Sequence, residues 1–141
     1  MSPADSELLG RAPVARLATV DRYSSPHLVP VVYVEHNGLL IVPLDSKKKS
    51  VRPDLLKRVR NIKGNPRVCL LVDEYHNDWK KLRFVMVHGS ARLGKWSEKE
   101  LAQARAKLTL KYRQYETFDP GEFCIVITPD NVVTWKNDIR D

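Results

Sequence analysis

Between Lys47 and Arg67 the chain carries nine Lys or Arg residues against one acid, Asp54. Like charges at that density repel unless they stand in water or face an anion, so the chemistry this stretch offers is the holding of a phosphate or another polyanion. Leu55, Leu56, Val59 and Ile62 fall on one helical face, Gly64 supplies a stop and Pro66 blocks continuation, so the spacing predicts a short helix over 54–63. On that helix Arg58 and Arg60 flank the apolar stripe on opposite sides and can reach a groove, whereas Lys57 points away from it. Downstream, the apolar run Val68 to Val72 leads into an acidic and aromatic turn, Asp73 to Trp79.

Other chemistry-bearing residues are dispersed. His27, His36, His76 and His88 show no HExxH or paired ligand spacing, and there is no CxxC, so no metal site is predicted. Cys69 and Cys124 each sit inside an apolar run and read as buried packing residues. P-loop, GxGxxG and GxSxG patterns are all missing from the sequence. With no side-chain constellation for a demanding reaction, either a cofactor carries the chemistry or there is no catalysis. Tyr75 and His27 have groups able to donate a proton, but no residue is assigned as an essential acid or base.

The elements that must position these residues are mostly strands. A short helix is expected over 5–11, ending before Pro13, and then alternating strands over 14–21 and 27–34. Thr19, Leu17 and Ala15 share one face of the first. Pro30 must lie at an edge, a bulge or a break in the ladder, where backbone groups stay free for a ligand. His36-Asn37-Gly38 reads as a hairpin turn into 39–44, whose continuous apolar character suits a strand covered on both faces. Three successive strands with short turns predict a meander. Further strands are expected over 67–72, 81–93 with a bulge or bend at Gly89, 122–128 and 132–135. Ser97 with Glu100 forms a capping-box pattern ahead of a helix that sets Leu101, Ala104, Leu108 and Tyr112 on one side. The sum is a mainly β chain of about seven short strands, an antiparallel barrel with flanking helices.

At 141 residues the chain fits one domain over 1–141, long enough to bury a core without disulfides. Its 43% hydrophobic and 29% charged residues suit neither a disordered tail nor a membrane protein. No apolar run is long enough to span a bilayer, and the Met1 to Asp5 start does not resemble a signal peptide, so a cytoplasmic location with no membrane partner is expected. The net charge of +7 favours anionic partners.

Taken together, ARLATV (15–20), PHLVPVVY (26–33), LLIVPLDSKKK (39–49), LKRVRNIKGNPRVCLLVDEYHNDW (56–79) and VMVHGSARL (85–93) resemble the flavin- and deazaflavin-binding split β-barrels related to pyridoxamine 5′-phosphate oxidase. NIKGNPRVCLLVD with the following Asp73, Tyr75, Asp78 and Trp79 is similar to the branch that uses the deazaflavin coenzyme F420. The resemblance implies an FMN-binding-type antiparallel split barrel, a homodimer, and a cofactor in a groove at the subunit interface. It implies that His27, Val29, Pro30 and Val31, with the strand end Pro43, Leu44, Asp45 and Ser46, line the ring and ribityl chain. Lys49, Arg58 and Arg60, with Lys47 next, would hold the phosphate, and Trp79 would lie close to the ring. Ser24 stands where family members often have glycine. The C-terminal ITPDNVVTWKND lacks the arginine-rich ending of true pyridoxamine phosphate oxidases, which argues against a vitamin B6 substrate.

The implied function is hydride transfer from reduced F420 to a small organic acceptor, with FMN as the alternative cofactor. A phosphate needs charge-assisted hydrogen bonds from Arg or Lys in fixed geometry, which the basic helix edge supplies. A nucleic-acid-binding barrel is the competing class, with Tyr23, Tyr33, Trp79 and Trp96 as stacking groups. Against nucleic acid as partner, no aromatic residue interleaves with the basic run between Lys47 and Val72. A protein that stores or senses a cofactor is the third reading.

Overall fold

A computed structural model describes residues 1–45 and 52–137. Helix α1 (Pro3–Arg11) starts two residues before the predicted span because Ser2 and Asp5 form a reciprocal capping box and Pro3 pre-sets the first turn. The strands are β1 (Ala15–Val20), β2 (Pro26–Val31), β3 (Val34–His36), β4 (Leu39–Pro43), β5 (Arg67–Glu74), β6 (Arg83–Lys95) and β7 (Phe123–Lys136). Helix α2 covers Lys57–Gly64 and α3 covers Ala104–Lys111. All strand pairs are antiparallel, in the order β2-β1-β5-β6-β7-β4-β3.

That order corrects the expected meander. β2 and β3 are consecutive in sequence yet lie at opposite edges of the sheet. Laid flat, the six inter-strand steps would hold the edges about 29 Å apart. Val31 and Val34 are three residues apart and span about 11 Å at most. The sheet therefore curls until its edges approach, and β2 and β3 do not pair: this is a split barrel. The run expected as one strand over 27–34 breaks at Val32 and Tyr33, where the chain crosses the split.

Two further expectations change. The strands expected over 122–128 and 132–135 are one strand, β7, whose register against β6 slips between His88 and Gly89 and leaves Asp130 as the extra residue. Gly89 is where the bulge needs it, because a Cβ there would run into the Thr128 carbonyl oxygen. The predicted capping box at Ser97 and Glu100 is not formed. Instead the Lys95 amide donates to Glu98 at 2.7 Å, a 3-10 turn covers Lys99–Leu101, and α3 begins only at Ala104.

The core has two parts. Inside the barrel, Ala15, Leu17, Leu40, Val42, Val68, Leu70, Val85, Val87, Ile125 and Ile127 pack with Leu8 of α1 and with Val59 and Ile62 of α2. Outside β4 and β7, Ile41, Cys124 and Val126 meet Trp96, Leu101, Ala104 and Leu108 beneath α3. β4 contributes to both, which is why its sequence is apolar on both faces. Asn37 (φ 50°) and Gly38 (φ 79°) make the predicted hairpin turn. Ser24 takes φ 63°, the left-handed conformation that favours glycine, within a loop where Asp21 accepts bonds from the Tyr23 and Ser25 amides. Among the described residues no helix is long and apolar enough to cross a membrane.

Candidate functional site

The site is built from α2, the edge strand β2 and the end of β4. Leu55 is exposed rather than on the predicted apolar face, because Pro53–Leu55 form a 3-10 turn and Leu56 takes an extended conformation before α2 begins. Val59 and Ile62 sink into the core, and Asn61 Nδ2 donates to Thr19 Oγ1 at 2.9 Å, fastening α2 onto β1. This anchoring fixes the directions of Lys57, Arg58 and Arg60 on α2, and it separates them.

Lys57 is exposed and pairs with Asp21 at 3.3 Å. Arg60 is exposed and spends one guanidinium nitrogen on the Leu55 carbonyl at 2.9 Å. Arg58 is half-buried, and its Nε is buried with no hydrogen-bond partner among the described residues. Burial lowers the Arg58 pKa, and the charge of Asp45 acts in the opposite direction. A buried guanidinium nitrogen without an acceptor fits an anion that completes its hydrogen bonding. The predicted pair of anchors thus becomes unequal, with Arg58 the better-placed of the two.

β2 is an edge strand paired only with β1, as Pro30 requires. His27, Val29 and Val31 point to the barrel side, opposite Thr19, Leu17 and Ala15 respectively, while Leu28 and Pro30 point outward. His27 Nδ1 is a second buried polar atom without a hydrogen-bond partner among the described residues. At the end of β4, Pro43 and Leu44 are buried, and the Leu44 amide donates to the Phe123 carbonyl. Both are covered by protein, Leu44 within the barrel core, and Asp45 is the first residue of this strand end to reach the surface.

Asp45 has a partner that the sequence does not announce. The Tyr115 hydroxyl lies 2.9 Å and 2.8 Å from its two carboxylate oxygens. Surrounding protein pushes the Asp45 pKa up, against the hydrogen bond from Tyr115 and the charge of Arg58, which both act downward. Tyr115 belongs to an aromatic row with Tyr112 and Phe118. Seventy residues separate it from Asp45, so no local pattern pairs the two.

Of the other predicted site residues, Ser46, Lys47 and Lys49 lie outside the described residues. Trp79 is exposed at the start of a 3-10 turn capped by Asp78, so it does not cap the barrel core. Tyr33 and Trp96, two of the four candidate stacking aromatics for nucleic acid, are buried and unavailable for stacking. Cys124 is buried as expected, but Cys69 is half-exposed on the outer face of the sheet. Among the described residues no group of three or more His, Cys, Asp or Glu is placed to hold a metal ion.

Comparison with known proteins agrees with this architecture. The sequence model of the pyridoxamine 5′-phosphate oxidase family matches residues 1–136. An F420 reductase is similar at 22% identity and TM-score 0.67, over 94% of this chain and 98% of that one. A FAD-binding protein of Mesorhizobium loti is similar at 19% identity and TM-score 0.70, over 95% and 94%. The heme storage protein HutZ of Vibrio cholerae is similar at 15% identity and TM-score 0.70, over 96% and 93%. At these identities the likenesses establish the fold. No curated protein matches.

Proposed function

This chain belongs to the pyridoxamine 5′-phosphate oxidase family, and we propose that it is a cytoplasmic, homodimeric F420-dependent oxidoreductase that passes a hydride to a small organic acceptor. The observation that carries the reading is the half-buried Arg58, whose Nε has no acceptor among the described residues. Arg58 would hold the cofactor phosphate, with Arg60 beside it and Lys49 and Lys47 following from the resemblance. His27, Val29, Pro30 and Val31 would border the ring, together with Trp79 and the strand end from Pro43 to Ser46. The deazaflavin supplies the hydride chemistry, and the protein supplies orientation and electrostatics. The likeness of sequence around Asp73, Tyr75, Asp78 and Trp79 favours F420 over FMN, which the same groove would also suit.

Support for a homodimer comes from the outer face of the sheet. Leu71, Met86, Phe84, Val133 and Trp135 sit on neighbouring strands there, and Phe84 stacks on Trp135 with centroids 5.9 Å apart. Val133 and Trp135 are exposed. A contiguous apolar face of this kind is a feature of interaction surfaces.

Titration of the purified protein with F420, FMN, hemin and a short single-stranded oligonucleotide tests the reading. Quenching or enhancement of cofactor fluorescence by the protein with F420, and no change in oligonucleotide anisotropy, is the expected outcome. Tight oligonucleotide or hemin binding without a response to F420 or FMN overturns it.

A further inference from the structure

Lys111, at the end of α3, is half-buried and its Nζ is held in place. The nitrogen donates to the Tyr33 carbonyl at 3.0 Å and lies 3.7 Å from the centroid of the Tyr33 ring and 5.2 Å from that of Tyr112. The Tyr112 hydroxyl braces the same point, 3.0 Å from the Pro13 carbonyl and 3.2 Å from the Tyr33 carbonyl. What Lys111 lacks is a counter-ion. Among the described residues no carboxylate pairs with it, whereas Lys57 and Lys95 pair with Asp21 and Glu122. Glu116 and Asp119, the acids that follow it in sequence, pair with Arg113 and Arg105 instead. The titratable groups that touch Lys111 are thus two tyrosines, Tyr112 from beyond α3 and Tyr33 from the crossing between β2 and β3.

Tyrosine rings attract an ammonium, but burial without a counter-ion acts against it. Burial prevails and lowers the Lys111 pKa from 10.5 to about 8. Near neutral pH this amine is therefore uncharged far more often than that of a lysine in water. Its bond to the Tyr33 carbonyl uses a hydrogen, which fixes the nitrogen and leaves the lone pair of the neutral form uncommitted. Lys107 is exposed one helical turn earlier on the same face of α3, a cation that draws an anionic reagent to that face. We propose that Lys111 is a modification site, a nucleophilic amine that takes an acyl group from a small acyl phosphate. The amine attacks the acyl carbon, and the C–N bond forms as the C–O bond to phosphate breaks. Phosphate leaves with that electron pair, and the proton lost from nitrogen passes to solvent. The amide that results keeps an N–H for the Tyr33 carbonyl and no longer places a charge in the half-buried position. None of this depends on the cofactor reading.

The test incubates the purified protein with acetyl phosphate at pH 7.5 and follows acetylation of each lysine by peptide mass spectrometry. Lys111 is expected to react about tenfold faster than the exposed Lys63 and Lys99, because a larger fraction of it is neutral. That excess should vanish when the chain is unfolded in urea, and Lys111→Arg should remove the first acetyl group to appear in the intact mass. Equal rates at the three lysines, an unmodified Lys111, or a preference that persists in urea overturns the proposal. Lys107→Gln tests the class of donor. It is expected to slow acetylation of Lys111 by acetyl phosphate and to leave acetylation by the neutral ester p-nitrophenyl acetate unchanged. A variant that slows neither reaction, or both alike, overturns the assignment of an acyl phosphate as the donor.

Discussion

Asn61 Nδ2 donates to Thr19 Oγ1 across 2.9 Å, and both residues are buried. This buried polar bond joins the cation-bearing helix to the barrel wall, and on either side of Asn61 in sequence Arg60 and Ile62 point to solvent and to the core. Removing one partner strands the other away from water, a loss that outweighs the net value of the bond. Asn61→Leu is expected to destabilise the protein by about 1–3 kcal/mol, measured by urea denaturation. The pair Asn61→Leu with Thr19→Val should cost less than the sum of the singles, because neither then leaves an orphan. Strict additivity would show that the two side chains do not depend on each other.

Gly89 stands against the Thr128 carbonyl at the β6–β7 bulge, with Ile127 Cγ2 3.1 Å from the position of a Cβ. The obstacle is backbone, so it cannot turn aside as a flexible side chain would. Gly89→Ala should push β6 from β7 and lower stability by about 1–3 kcal/mol, the range for overpacking. Gly64→Ala is the control, since nothing lies within 4 Å of a Cβ there. Equal melting temperatures for the two variants would refute the tight approach.

What the sequence disclosed and what it hid follow from how local each signal is. β4 was readable because residues Leu40 to Leu44 are all buried, and the Asn37-Gly38 turn because both residues take positive φ. The grouping of Ala15, Leu17 and Thr19 on one face of β1 followed from period-two alternation, and the fold turns that face inward. The break at Val32 and Tyr33 was hidden, because its cause is the meeting of two sheet edges rather than any turn residue in HLVPVVYV. Likewise Pro129 and Asp130 separate two apolar runs but sit in a bulge of a continuous strand. At the site, Arg58 followed from helical spacing around Val59 and Ile62, whereas the Tyr115–Asp45 contact joins residues brought together only by the folding of α3 over β4 and β7.

The two arginines on α2 make different predictions once their surroundings are known. Arg58 is half-buried with a free Nε, while Arg60 is exposed and already bonded to the Leu55 carbonyl. Arg58→Ala should weaken cofactor binding by about 1.5–3 kcal/mol, the value of a hydrogen bond to a charged group. Arg60→Ala should cost less, about 0–1 kcal/mol, as exposed ion pairs do. Fluorescence titration of F420 against each variant measures both, and a larger loss at Arg60 would reverse the ranking of the anchors.

Lys111 gives the molecule a pH response separate from the cofactor site. Its ammonium lies 3.7 Å from the centroid of the Tyr33 ring and donates to the Tyr33 carbonyl at 3.0 Å. Tyr112 holds the same crossing, accepting from the Tyr33 amide at 3.2 Å, while the Tyr33 hydroxyl donates to the Leu9 carbonyl. Burial lowers the Lys111 pKa from 10.5 to about 8. Between those two values the unfolded chain binds the proton that the folded protein has released, so the contribution of Lys111 to stability rises with pH across the window from about 8 to 10.5. Below about 8 both states hold the proton, and the cost of burying the charge is fully present. Lys111→Met removes that titration while keeping an unbranched side chain over the ring. The stability of wild type relative to Lys111→Met, measured by urea denaturation from pH 7 to 10.5, should therefore climb as pH rises above about 8. A difference that stays flat over this range would mean that the Lys111 ammonium is as well solvated in the folded chain as in the unfolded one.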